Sequence, residues 1–104
     1  MSAKWVVVWN LPPGTDVAAW ERWYWEQHVP LAKQLPGMTR YTTTRVVRTA
    51  YGAPCYRMAE QYFPDLELLE AAIASPAGKA VADDAGPYVT DLVLLVTEER
   101  EVSL

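Results

Sequence analysis

Short apolar stretches, some alternating every second residue and others recurring every third and fourth, are separated along the chain by breaks rich in Pro and Gly. Lys4 to Trp9 combines β-branched and aromatic residues and ends at Pro12-Pro13-Gly14. This predicts a strand with Trp5, Val7 and Trp9 on one face and Val6 and Val8 on the other. Behind Thr15 or Asp16 as a cap, Val17, Trp20, Tyr24, His28 and Leu31 recur at spacings of 3, 4, 4 and 3, the periodicity of one helical face. Pro30 offers no N–H to the Glu26 carbonyl and disfavours the α region at Val29. The helix is therefore expected to kink or break near His28 and give way to a short turn through Leu35.

Met38 to Thr49, with its Thr, Val and Tyr residues, predicts a second strand, and the alternation of Tyr56 to Phe63 a third. Pro64-Asp65 opens a helix carrying Leu66, Leu69 and Ile73, which Ser75-Pro76 restarts with Ser as cap and Pro in the first turn. That segment is expected to run to about Asp84, followed after Gly86-Pro87 by a last strand over Tyr88 to Thr97. The order β-α-β-β-α-β predicts an α+β, ferredoxin-like domain: an antiparallel four-stranded sheet with both helices on one face. The first and last strands, however, are apolar on both faces. Exposing such side chains forfeits roughly 1.5–3 kcal/mol each, so a second copy of the chain is expected to cover the bare face, forming a homodimer.

With 104 residues the chain reads as one domain, 1–104, and 51% hydrophobic with 21% charged residues is the composition of a globular rather than a disordered chain. Nine Lys and Arg against 13 Asp and Glu give a net charge of −4, and the absence of a basic run argues against nucleic acid as a partner. The apolar runs are far shorter than the roughly 20 residues that cross a bilayer, so no membrane association is expected. The start of the chain lacks a signal-like apolar stretch, and the single Cys55 suits a reducing compartment; a cytoplasmic location is the expectation.

Tyr24-Trp25-Glu26-Gln27-His28-Val29-Pro30-Leu31, followed by Leu35-Pro36-Gly37 and Tyr41, resembles the H-x-P-L … P-G … Y signature of the EthD family of dimeric α/β-barrel proteins. Glu60-Gln61-Tyr62-Phe63, Ser75-Pro76-Ala77-Gly78-Lys79, Ala82-Asp83-Asp84 and Tyr88 extend the likeness over most of the chain. The resemblance implies a ferredoxin-like subunit, a face-to-face homodimer enclosing a barrel, and a hydrophobic pocket between sheet and helices. Related barrels include polyketide cyclases, decarboxylases, isomerases, cofactor-free monooxygenases and haem-handling enzymes, so the fold alone does not select a reaction.

Among candidate residues, His28 is the only histidine and falls on the buried helical face. It can serve as a general acid/base or as a tie for the kinked helix end. Asp83 is the expected carboxylate partner that would orient the ring, with Asp84 read as a solvated helix-end acid. Tyr24, one turn before His28, and Trp25, on its flank, are assigned with Tyr41, Tyr62, Tyr88 and Glu60 to substrate binding; Glu60 has an alternative as partner of Arg40 or Arg45. Trp5, Trp9, Trp20 and Trp23 are read as core and dimer packing, and Cys55 as inert. The sequence has no phosphate loop, no G-x-S-x-G elbow and no second His or Cys for a zinc site, so no metal or cofactor is assigned. The expected function is a cofactor-independent enzyme acting on a hydrophobic, aromatic or polyketide-like molecule by cyclisation with dehydration, decarboxylation or isomerisation. The alternatives are a cofactor-free monooxygenase of phenolic substrates and a protein that binds a flat ligand or haem without turnover.

Overall fold

Strand β1 (Ser2–Asn10) lies between β3 (Arg57–Phe63) and β4 (Thr90–Glu99), and β2 (Arg40–Arg45) pairs with the far edge of β3. The computed structural model describes residues 2–104. Its sheet order is β2-β3-β1-β4 with every pairing antiparallel, the ferredoxin-like α+β arrangement expected from the element order. Helices α1 (Val17–Trp23), α2 (Val29–Ala32), α3 (Leu66–Ala74) and α4 (Pro76–Ala85) supply the second layer. Asp16 caps α1 by accepting from the Ala19 N–H, and Asp65 caps α3 in the same way through Leu68. Ser75 restarts the helix as predicted, accepting from the Gly78 N–H with Pro76 in the first turn.

Burial decides which face of the sheet the helices cover. Ala3, Trp5 and Trp9 on β1 and Arg57, Ala59, Gln61 and Phe63 on β3 are buried, whereas their alternating neighbours are only half-buried. Register aligns three rows across this covered face. They are Tyr41-Gln61-Trp5-Val96, then Thr43-Ala59-Val7-Leu94, then Arg45-Arg57-Trp9. Phe63 and Leu69, with no exposed surface, anchor the main core against Ala32, Leu35 and Val81. Burying such a side chain stabilises the fold by about 1.5–3 kcal/mol. Val17, expected on the buried helical face, is 45% exposed because it sits at the first position of α1, beyond the edge of that core.

Three other expectations change. The second strand is shorter than Met38–Thr49 because β3 begins only at Arg57, so residues 46–55 lack a partner strand despite their β-prone composition. Tyr88 belongs to a single 3-10 turn, Gly86–Tyr88, rather than to the last strand. Val29 keeps helical dihedrals (φ −60°, ψ −47°), and the chain passes Pro30 by widening instead of breaking: Tyr24–His28 forms one π-helical turn in which the Val29 N–H bonds the Tyr24 carbonyl.

The opposite face carries Lys4, Val6, Val8, Met58, Glu60, Tyr62, Val93 and Leu95 and no described helix packs on it. β4, an edge strand, is exposed on both sides, with Leu92 to Val96 each at 45% or more. Among the described residues no helix is long and apolar enough to cross a membrane.

Candidate functional site

A cavity of about 110 Å³ lies between the helix-covered face of the sheet and the π-helical turn with α4. Val7 and Ala59 make its floor, Trp5 and Trp9 flank the floor from the neighbouring rows, and Leu92 and Leu94 of β4 line its outer side. The small side chain of Ala59 leaves the space that the larger residues enclose. A side lobe of about 40 Å³, reaching Trp20, Trp23 and Val89, shares Val7, Trp9, Tyr24, His28, Ala85 and Leu92 with it.

The π-helical turn puts Tyr24 and His28 on the cavity wall. Their rings lie 5.7 Å apart, and the Trp23 ring lies 5.1 Å from the imidazole. His28 Nδ1 is 2.9 Å from Asp84 Oδ2, while the Gln27 amide donates to Asp84 Oδ1 at 2.7 Å. Both carboxylate oxygens are thus engaged, and each side chain of the His28–Asp84 pair is only 12% exposed. A carboxylate can only accept, so Nδ1 carries the hydrogen, and in the neutral ring the lone pair stands on Nε2.

Tyr24 donates to or accepts from Thr43 Oγ1 at 2.7 Å, and its ring packs under the Arg57 guanidinium, which is held by Glu21 at 2.6 Å. Burial pushes the Tyr24 phenol above its ordinary titration range. The same cause, reinforced by the neighbouring Tyr24, raises Tyr41 further. Both therefore stay uncharged hydroxyls. Tyr41 lines the cavity opposite Gln61 in register. Gln61 and Trp9 are each 4% exposed, and Gln61 Oε1 and Trp9 Nε1 have no hydrogen-bond partner among the described residues.

Of the residues expected from sequence to form the site, the structure brings together His28, Tyr24 and Tyr41. Asp83 lies elsewhere: it points to solvent and pairs with Lys79 one turn earlier at 2.7 Å, while Asp84 occupies the position beside the ring. Glu60 and Tyr62 are on the other face of the sheet, where Glu60 accepts from Lys4 at 2.5 Å and from the Tyr62 hydroxyl at 3.3 Å. Arg40 stacks on Tyr62 instead of pairing directly with Glu60. Trp25 is 49% exposed, edge-on to Tyr24, and does not line the cavity. Tyr88 stacks on Trp23 at 3.9 Å in an outer groove, its carbonyl taking the Trp20 indole N–H.

Sequence reasoning missed Asp84, Gln61, Trp5 and Trp9 as site residues. Signals for the first two were present. Counted at about 100° per residue from the buried Val81, Asp84 falls about 60° away and Asp83 about 160° away. Gln61 alternates in phase with Ala59 and Phe63, the small and apolar side of β3. No group of three or more His, Cys, Asp and Glu side chains that could hold a metal occurs among the described residues.

The EthD domain family model matches residues 12–91. An uncharacterized 11.0 kDa protein from the thcB–thcC intergenic region of Rhodococcus erythropolis is 31% identical over 98 residues, covering 92% of this chain and 93% of that protein. A crystal structure of an EthD family protein from Bacillus halodurans superposes with a TM-score of 0.84 at 31% identity, covering 96% of this chain and 100% of the other. SnoaB of Streptomyces nogalater, described as a cofactor-independent oxygenase, shares the fold with a TM-score of 0.71 at 15% identity over 97% of this chain and 95% of its own. By the matched domain and the likeness to these full-length relatives, the chain belongs to the EthD family.

Proposed function

We propose that this chain is a cofactor-independent enzyme that moves a proton on a flat, hydrophobic molecule held in the cavity. The observation that carries this reading is the His28–Asp84 pair, buried at the wall of a largely apolar cleft. Nε2 of His28 takes a proton from an O–H or an acidic C–H of the substrate. The Asp84 carboxylate stabilises the resulting imidazolium, and the Tyr41 hydroxyl donates to the oxygen on which charge develops. Return of the same proton to a different substrate atom completes an isomerisation; if the carbanion first attacks a carbonyl of the same molecule, the new C–C bond closes a ring and the alkoxide takes the proton back; if the proton came from a carboxyl group, CO₂ leaves and the carbanion takes it back.

A second reading shares the first step. The substrate anion produced at His28 reacts directly with O₂, as a cofactor-free oxygenase requires; the shared fold of SnoaB supports it. A cavity of about 110 Å³, with the Tyr24 and Trp23 rings packed beside His28, favours a smaller flat molecule over a porphyrin.

The bare sheet face supports a homodimer, since Val6, Val8, Val93 and Leu95 form an apolar strip there, with Val93 and Leu95 at 45% and 47% exposure.

The experiment is hydrogen exchange on a generic substrate. 2-Tetralone, a two-ring ketone with an acidic C–H, is incubated with the protein in D₂O and loss of its benzylic α-proton signal is followed by NMR. Catalysed exchange that disappears in His28→Gln supports the proposal. Exchange no faster than buffer for the wild type, or equal for both proteins, defeats it.

A further inference from the structure

One carboxylate on α4 serves two consecutive side chains of the π-helical turn. Asp84 Oδ2 takes the His28 Nδ1–H at 2.9 Å, and Asp84 Oδ1 takes an N–H of the Gln27 amide at 2.7 Å. A carboxylate only accepts, so the NH₂ end of Gln27 is the end that faces it. No other side chain among the described residues is hydrogen-bonded to Asp84. Consecutive side chains of an α-helix point about 100° apart and do not face a common partner. The i→i+5 bond of the π-helical turn puts more residues into the turn and narrows that angle, which lets Gln27 and His28 converge on one acid.

Asp84 requires both donors because of where it stands. It lies in the last turn of α4, where the backbone carbonyls present the negative end of the helix dipole and no basic residue offsets it. A carboxylate there turns to water unless something holds it. His28 holds one oxygen and Gln27 the other. Gln27 is exposed and has no part in lining the cavity, so its contact with the site runs through Asp84. Being neutral, the amide fixes the carboxylate without drawing its charge away from the imidazole, as a Lys or Arg at this position would.

We infer that Gln27 is a positioning residue for the proposed proton transfer: it locks the Asp84 carboxylate onto Nδ1 of His28 and so keeps the lone pair of the neutral ring on Nε2. This rests on the reading of His28 as the acid/base.

Two measurements on the full chain test it, and the first uses no substrate. Nitrogen NMR of protein labelled in the imidazole, at a pH where the ring is neutral, tells a protonated ring nitrogen from an unprotonated one. The wild type should carry its proton on Nδ1. Gln27→Met keeps the length and removes the donor; it should give a mixture with the Nε2-protonated form that a histidine free in water favours. Because Gln27 is exposed, this substitution leaves the core untouched. The second measurement is 2-tetralone exchange in D₂O. Gln27→Met should lower kcat roughly fivefold, the worth of one hydrogen bond, and leave KM unchanged because Gln27 lies off the cavity wall. In an Asp84→Ala background the same substitution should change neither quantity, since no carboxylate is left to hold. A wild-type ring protonated on Nε2, or a proton position unmoved in Gln27→Met, overturns the inference. A fivefold loss that persists without Asp84 also overturns it, because it marks a general loosening of the turn. If the wild type does not exchange 2-tetralone, the reading of His28 fails, and the NMR comparison still decides whether Gln27 locks the ring.

Discussion

The ring of Tyr24 lies 5.7 Å from that of His28 with only 21° between their planes, although a widened helical turn separates the two residues. The widening follows from Pro30. Without its N–H, the carbonyl ladder shifts by one residue, and the turn directs His28 towards Asp84 on α4 while Tyr24 stays under Arg57.

The first prediction separates the two neighbouring acids. His28→Gln should lower 2-tetralone exchange by roughly 10²–10⁴-fold, the usual worth of a positioned proton shuttle. Asp84→Asn should give a smaller loss in the same direction, because it keeps the shape and removes the charge. Asp83→Asn should leave the rate unchanged, since Asp83 bonds only the exposed Lys79. Exchange rates by NMR, with circular dichroism to verify folding, check all three.

A second prediction concerns the joint between α3 and α4. A Cβ on Gly78 would lie 2.6 Å from the Ala72 carbonyl oxygen and closer still to that of Ile73, both backbone atoms that cannot turn away. Gly78→Ala should therefore destabilise the fold by about 1–3 kcal/mol, although alanine is the better helix former. Urea unfolding monitored by tryptophan fluorescence gives the value, and a stabilised variant would contradict this packing.

Lys4 and Glu60 set a pH window for stability. Their mutual hydrogen bond holds the Glu60 carboxyl below its ordinary value of 4.5 and the Lys4 ammonium above its ordinary value of 10.5. The contribution of Glu60 is complete above 4.5 and is lost as pH falls through its lowered folded value; that of Lys4 is complete below 10.5 and is lost as pH rises through its raised one. Glu60→Gln should cost about 1 kcal/mol across the neutral range. The gap to the wild type should close in acid, as read from denaturation midpoints at successive pH values.

Strand parity yields a fourth prediction. Val8 faces away from the helices and Leu94 lines the cavity. Val8→Asp should convert a dimer to a monomer in sedimentation velocity. Leu94→Asp should leave the dimer and lower 2-tetralone exchange by tenfold or more, the cost of a charge against an apolar ligand. An unchanged sedimentation profile for Val8→Asp would remove the bare face from the interface.

Periodicity and caps made the four strands and the helix restart at Ser75 legible, because a period of two or of 3.6 and a side-chain cap are properties of adjacent residues. The π-helical turn was not: the missing N–H of Pro30 marks a disturbance, and whether the helix breaks or widens depends on what packs around it. His28 could be placed on the buried face from spacing. Its partner could not be chosen from Asp83 and Asp84 without knowing that Val81 fixes the rotation of α4. Glu60 and Tyr62 were misplaced because β3 carries plausible polar groups on both parities, and only burial shows that Gln61 is the one facing the helices.

The strand order β2-β3-β1-β4 interleaves the two halves of the chain, which meet at the loop over residues 46–55. β1 and β2 come from the first half, β3 and β4 from the second, and each of the three ladders joins one strand of each half. Neither half can begin a sheet by itself, so a ribosome must release most of the chain before any ladder closes. Conversely, a protease nick at Tyr51, which is 98% exposed, severs no ladder, and two fragments divided there hold complementary edges for reassociation.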